Sequence, residues 1–191
     1  MATYDRPVPR RWVVPVLAVL LSACGGGDDS PTEGAQSTST TAVTARASTT
    51  TSSTRPQIEG VQTFAVDAGH SNAPVTYPHV PPVGGIHNPV WQQCGFYDQP
   101  VPNEKAVHSL EHGAIWITHR PDLPADQIES LSTLARSRNL VLVSPWENGL
   151  PAPVVVTGWG RQLRLESVSD PRLLEFVRLY ANLGPEINAP C

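Results

Sequence analysis

Lysine is nearly absent from this chain: Lys105 stands alone beside twelve arginines, which are scattered rather than clustered. Binding to nucleic acid needs concentrated positive charge to displace counterions. With 17 Asp plus Glu against 13 Lys plus Arg, a formal net charge of −4, no nucleic-acid partner is expected. Methionine occurs once, at Met1, which argues against a Met-rich carrier of copper. Charged residues amount to only 16% of the chain, and that composition fits neither a coiled coil nor a collagen. Also missing are a phosphate-cradling glycine loop, a Gly-x-Ser-x-Gly elbow, a Cys-x-x-Cys pair and a calcium-binding loop. No apolar run approaches the ~20 residues of a membrane-spanning helix, and the run from Trp12 to Leu21 is interrupted by Pro15. Within 191 residues these exclusions leave one globular domain with appendages.

The first appendage reads as an export signal, with Arg6, Arg10 and Arg11 ahead of the short apolar run. Leu21-Ser22-Ala23-Cys24 then matches the lipobox of bacterial lipoproteins at every position. Residues 1–23 are therefore expected to be a signal peptide, and Cys24 the acylated first residue of the mature chain. Its acyl chains would anchor the protein at the extracytoplasmic face of the cell membrane, each buried methylene adding ~0.8 kcal/mol. Residues 24–57 follow as a tether. Ser and Thr dominate it from Ala35 to Arg55, and no apolar period is present to offset the entropy of ordering. As a flexible coil it spans about 30 Å on average. Its composition also suits O-glycosylation.

Residues 58–191 are the candidate domain. Val61 to Val66 alternates weakly, as a short strand would. Pro74, Pro78, Pro81, Pro82, Pro89, Pro100 and Pro102, with Gly84, Gly85 and Gly95, forbid regular structure over most of the next stretch. Asn103 is placed to cap a short helix stopping at Gly113, and Ala114 to Thr118 reads as a buried strand. Pro124 to Arg138 has a helical apolar face in Ile128, Leu131, Leu134 and Ala135. Leu140 to Ser144, Val154 to Thr157 and Gln162 to Leu165 read as strands. A last helix is signed by Asp170 at its cap, Pro171 at its first position and Gly184 at its end. The expected fold class is α/β or α+β: a small mixed sheet with a right-handed βαβ crossover, two main helices and a long Pro/Gly-rich loop region.

All six histidines fall between His70 and His119, together with the proline-rich loop. In His108-Ser109-Leu110-Glu111-His112-Gly113, His108 and His112 are four apart and share one helical face. That pair, with His87 or His70, would complete a three-ligand site for a transition metal such as Zn or Cu. Glu111 would orient a ligand or act as a general base, the one candidate for a catalytic residue. The order His-x-x-Glu-His also occurs in inverted zinc proteases, but those need a long helix where Gly113 and a strand follow here. Histidines can equally hold loops together by bonding backbone carbonyls, or relay protons without metal. His79 serves as strut or ligand with equal ease, and His119, before Arg120-Pro121, is expected at the surface. Three roles stay open: metal-binding domain, metal-assisted hydrolase of envelope material, and envelope scaffold with structural histidines.

Cys94 and Cys191 are the thiols left after acylation of Cys24, and such a pair in an oxidising compartment is most simply a disulfide. The rival reading, Cys94 as thiolate ligand or nucleophile, leaves Cys191 without a role. Trp91, Trp116, Trp146 and Trp159 read as partial core or as a stacking surface for sugars. Gly69-His70, Tyr77, Pro81-Pro82, Gly84, His87, Cys94-Gly95-Phe96-Tyr97 and Val107 to Gly113 together resemble a bacterial family, domain-of-unknown-function family 3105. The resemblance implies an extracytoplasmic anchored domain, with His70, His87, Glu111 and His112 among its recognisable residues, and no known activity.

Overall fold

Continuous aliphatic runs build the centre of the molecule. A computed structural model describes residues 57–191; the expected signal peptide, Cys24 and nearly all of the tether lie outside the described residues. Strands β5 (Ile115–His119), β6 (Val141–Pro145) and β7 (Val154–Gly158) are buried at every position, as strands covered on both faces should be. With β1 (Gln62–Thr63), β4 (Gly95–Phe96) and β8 (Arg161–Leu165) they form a six-stranded sheet in the order β1-β8-β7-β5-β6-β4. The sheet is mixed. β4, β6 and β5 run parallel, whereas β7 pairs antiparallel with both β5 and β8. Helix α2 (Ala125–Ser137) connects the parallel neighbours β5 and β6. The expected α/β or α+β class is the one observed. Among the described residues no helix is long and apolar enough to cross a membrane.

Side-chain alternation along the strands sorts the core into two sides. Ile115, Ile117, Val141, Val143, Val154 and Val156 pack with Leu131 and Ala135 of α2 and with Leu173, Phe176 and Val177 of α3 (Pro171–Tyr180). Trp116 and Leu142 point the other way, against Ala106 and Leu110 of α1 (Asn103–Glu111). Trp116 is wholly buried there, its indole N–H donating to Ser144 Oγ at 3.0 Å. The sheet is thus sandwiched, with α1 alone on the side that receives the proline-rich loop. From Ala106 to Glu111 the helix is buried all round, because that loop and the C-terminal tail cover what would be its solvent face.

Three local expectations give way to tertiary structure. Asn103 does not cap α1 but begins it after Pro102, and no side chain caps that end. Helix α3 stops at Tyr180 rather than at Gly184, since Asn182 adopts a positive φ of 60° and its N–H donates to Gly113 O at 2.8 Å. The tail is thereby drawn across the end of α1. Gly113 sits at φ +87° with Asn182 backbone where a Cβ would stand, and a Cβ on Gly184 would overlap the Glu111 carbonyl. Only glycine at these two positions lets tail and helix end lie together. Cys94 and Cys191, 97 residues apart, form a disulfide that fixes the tail beside β4. In the chain-entropy model closure of a loop near 100 residues contributes about 4.7 kcal/mol.

The third correction concerns His119. Rather than lying at the surface it ends β5 at 4% exposure, since β6 and β7 flank it on both sides. Its Nδ1–H donates to Arg120 O at 2.9 Å, and its Nε2 has no hydrogen-bond partner among the described residues. Burial lowers its pKa below the ordinary 6.5, with the Arg120 carbonyl opposing in part. The unfolded chain then binds the proton more readily, so this group withdraws stability as pH falls below 6.5. A His119→Leu variant should show a shallower loss of stability than wild type over that range, read by urea unfolding at a series of pH values. Asp170 behaves oppositely. It accepts Arg172 N–H at 2.9 Å as the α3 cap, and the Arg172 guanidinium at 2.6 Å holds its carboxyl below the usual 3.8. Asp170→Ala should cost about 1 kcal/mol near neutrality. The difference should shrink as pH falls through the carboxyl's lowered value, where the wild-type cap is itself protonated.

Candidate metal centre

Two very short strands and one helix gather the imidazoles. β2 (Gly69–His70) and β3 (Ile86–His87) pair in parallel with His70 opposite His87, which sets the two side chains next to each other. The loop leaving β3 is fastened along α1. Asn88 N–H donates to Glu104 O at 3.3 Å, Gln92 N–H to Lys105 O at 3.0 Å, and Ser109 Oγ–H to Gln92 O at 2.5 Å. These bonds hold irregular backbone against the helical face that carries His108, Glu111 and His112. The ring centroids of His70, His87 and His108 lie 4.8–5.0 Å from one another.

Each buried imidazole is oriented the same way. His87 Nδ1 meets Gly85 O at 2.7 Å, His108 Nδ1 meets Asn88 O at 2.7 Å, and His112 Nδ1 meets Pro190 O at 2.5 Å. A carbonyl oxygen only accepts, so in all three rings the proton resides on Nδ1. The neutral ring then presents an Nε2 lone pair to the interior. Those lone pairs face other acceptors: His87 Nε2 is 2.9 Å from Glu111 Oε2, and His108 Nε2 is 2.9 Å from His112 Nε2. Such contacts repel unless a cation, either a proton or a metal ion, stands between them. The proton is disfavoured at His108, whose pKa is lowered chiefly by burial and further by His112 and His87, against the Asn88 carbonyl and Glu111.

Among the described residues the donors fall into two overlapping sets. His70, His87, His108 and Glu111 bring three nitrogens and an oxygen within 4.8 Å of one another; His108, His112 and Glu186 form the second. His70 Nε2 lies 3.4 Å from Glu111 Oε2, and His112 Nε2 lies 3.5 Å from Glu186 Oε2. Tetrahedral ligands at about 2.0–2.1 Å from Zn lie about 3.3–3.4 Å apart, so the most distant donors of the first set would approach each other by up to about 1.4 Å to hold an ion. His87, His108 and His112 do not fall in a single set: His112 stands with Glu186, His70 and Glu111 stand with His87, and His108 is common to both. Glu186 has no motif around it. Its only signal is the Cys94–Cys191 pairing, which obliges residues near the C-terminal cysteine to approach the histidine-rich loop.

The other singled-out residues lie elsewhere. His79 packs on the Phe64 ring at 4.4 Å and borders, with Tyr77 and Val66, a cavity of about 400 Å³ that none of the donors lines. There Tyr77 donates to Ile86 O at 2.8 Å, and burial followed by the nearby Glu104 charge pushes its pKa up. Trp116 and Trp146 lie together at 5.8 Å, whereas Trp159 meets His87 edge-on at 5.9 Å. Trp91, 40% exposed, covers His112 at 5.5 Å and His108 at 6.2 Å. These four tryptophans thus make no common stacking surface among the described residues.

No curated protein and no solved structure gives a significant match to the chain. A family described as "Protein of unknown function (DUF3105)" matches residues 70–191. That span begins at His70 and takes in every donor of both sets, with Cys94 and Cys191. The chain therefore belongs to the DUF3105 family of proteins of unknown function.

Proposed function

We propose that this protein is a membrane-anchored, extracytoplasmic metal-binding protein that holds one transition-metal ion, Zn or Cu, between His70, His87, His108 and Glu111. The observation that carries the reading is the shared orientation of the buried imidazoles. Backbone carbonyls take the Nδ1 protons of His87 and His108, and the remaining lone pairs converge beside a buried carboxylate. Carbonyl partners of this kind are what metal-ligating histidines ordinarily have behind them. Imidazole with carboxylate suits Zn or Cu, and neither set contains the sulfur donors that select softer ions. Four protein donors fill a tetrahedral ion and leave no position for water or substrate, which favours an ion-holding module over an envelope hydrolase. With four donors on the ion, Glu111 serves as a ligand rather than as a base. Nothing in the acidic chain calls for nucleic acid, and the membrane is reached through acylated Cys24.

The full chain, purified without chelators, should contain one Zn or Cu ion per molecule by elemental analysis. His87→Ala and His108→Ala should each weaken binding by about a hundredfold or more. Added ion should raise the unfolding temperature of wild type and of neither variant. A wild-type chain without stoichiometric metal, and without a thermal shift on adding Zn or Cu, would refute the reading. The anchor is tested separately. Radiolabelled fatty acid should be incorporated into the wild-type chain in cells and not into Cys24→Ala.

A further inference from the structure

His112 and Glu186 are left over by that reading, and the set they form with His108 is not an independent site. His108 belongs to both sets, and its Nδ1–H is held by Asn88 O at 2.7 Å, so it has one lone pair and can serve one ion at a time. Filling one set therefore empties the other. Resting on the proposed metal reading, we propose that the two sets are successive stations of a single ion: an inner holding site and an outer exchange site, with His108 the ligand kept throughout the move.

Donor number and exposure distinguish the stations. The inner set has four donors, of which His87, His108 and Glu111 are buried, and an ion there is saturated by protein. His70 is 44% exposed at its side chain, yet as a ligand of the full set it opens no coordination position. The outer set has only three donors, so an ion there keeps a position for water or for an incoming ligand. Its end member, Glu186, is 53% exposed and lies 3.5 Å from His112 Nε2, while His112 Nε2 lies 2.9 Å from His108 Nε2. The donors thus lead from the surface inwards at short steps, and an ion crosses by exchanging ligands rather than by losing them all at once.

The tail is built to hold Glu186 at that place. Glu186 N–H donates to Glu111 O at 3.0 Å, Pro190 O accepts from His112, and Cys191 is bonded to Cys94. Glu111 and Glu186 are therefore coupled through one backbone hydrogen bond, although they belong to different stations. The exchanging species is a transition-metal ion, either hydrated or held by an external chelating donor.

The test measures Zn²⁺ binding and its transfer rates for the full chain, using a chromophoric chelator as acceptor. Wild type should bind one ion. His112→Ala and Glu186→Gln should still bind one ion with affinity within about threefold of wild type, but both uptake and loss to chelator should slow about tenfold. Glu186 is exposed, so its substitution tests the path without threatening the fold. Variants with wild-type affinity and wild-type rates would overturn the two-station path while leaving the holding site intact. Two ions per wild-type chain would overturn it also, because His108 would then not be shared. Loss of equilibrium binding in His112→Ala would make His112 a ligand of the holding site and merge the stations. Failure of wild type to bind Zn²⁺ or Cu²⁺ at all would remove the holding site itself.

Discussion

Three hydrogen bonds from imidazole Nδ1 to main-chain carbonyls determine what this centre can do. Gly85, Asn88 and Pro190 supply those carbonyls, and each lies in irregular backbone. A side-chain partner could rotate or ionise, whereas a peptide carbonyl is fixed by the chain that carries it and accepts without ever donating. The tautomers are therefore set by the backbone path, and so is the direction of the lone pairs. This gives the proline-rich loop a physical purpose. Prolines limit the conformations open to it, and its attachment along α1 delivers two of the three carbonyls.

The rest of the molecule can be seen as support for that arrangement. A sheet buried on both faces provides a stiff floor, and α1 rests on it through Ala106, Leu110 and Trp116. The opposite edge of the same helix is then free to present polar groups inward. Burying Glu111 beside several imidazoles is expensive unless the carboxylate is neutralised, and a cation within the cluster is the compensation that burial of such a group calls for. The tail closes the remaining side. Its course depends on Gly113 and Gly184, two positions where the absence of a side chain matters more than any contact.

Much of the architecture was legible from local pattern. Ala114 to Thr118, Leu140 to Ser144 and Val154 to Thr157 are continuous apolar runs of strand length, and they became β5, β6 and β7 with small shifts at their ends. Asp170-Pro171 marked the start of α3 because cap and first-turn chemistry are local. What failed was what long-range contact decides. Gly184 resembles a helix stop, but α3 ended earlier when Asn182 bonded to Gly113, 69 positions away in the numbering. His119 sits before Arg-Pro, a surface-like context, and is covered by neighbouring strands. The histidine cluster was legible as a concentration of one residue type. Its partition into two donor sets was not, because Glu186 joins only through the folded path of the tail.

The bond between Pro190 and His112 links residues 78 positions apart. During synthesis from the N-terminus, His70, His87, His108 and Glu111 have all emerged long before the segment that orients His112 exists. Those four donors can therefore come together before the segment that fixes His112 exists. The last two residues thus carry both the carbonyl that aims His112 and the cysteine bonded to Cys94, so the covalent tie of the tail and the orientation of that ring arrive together.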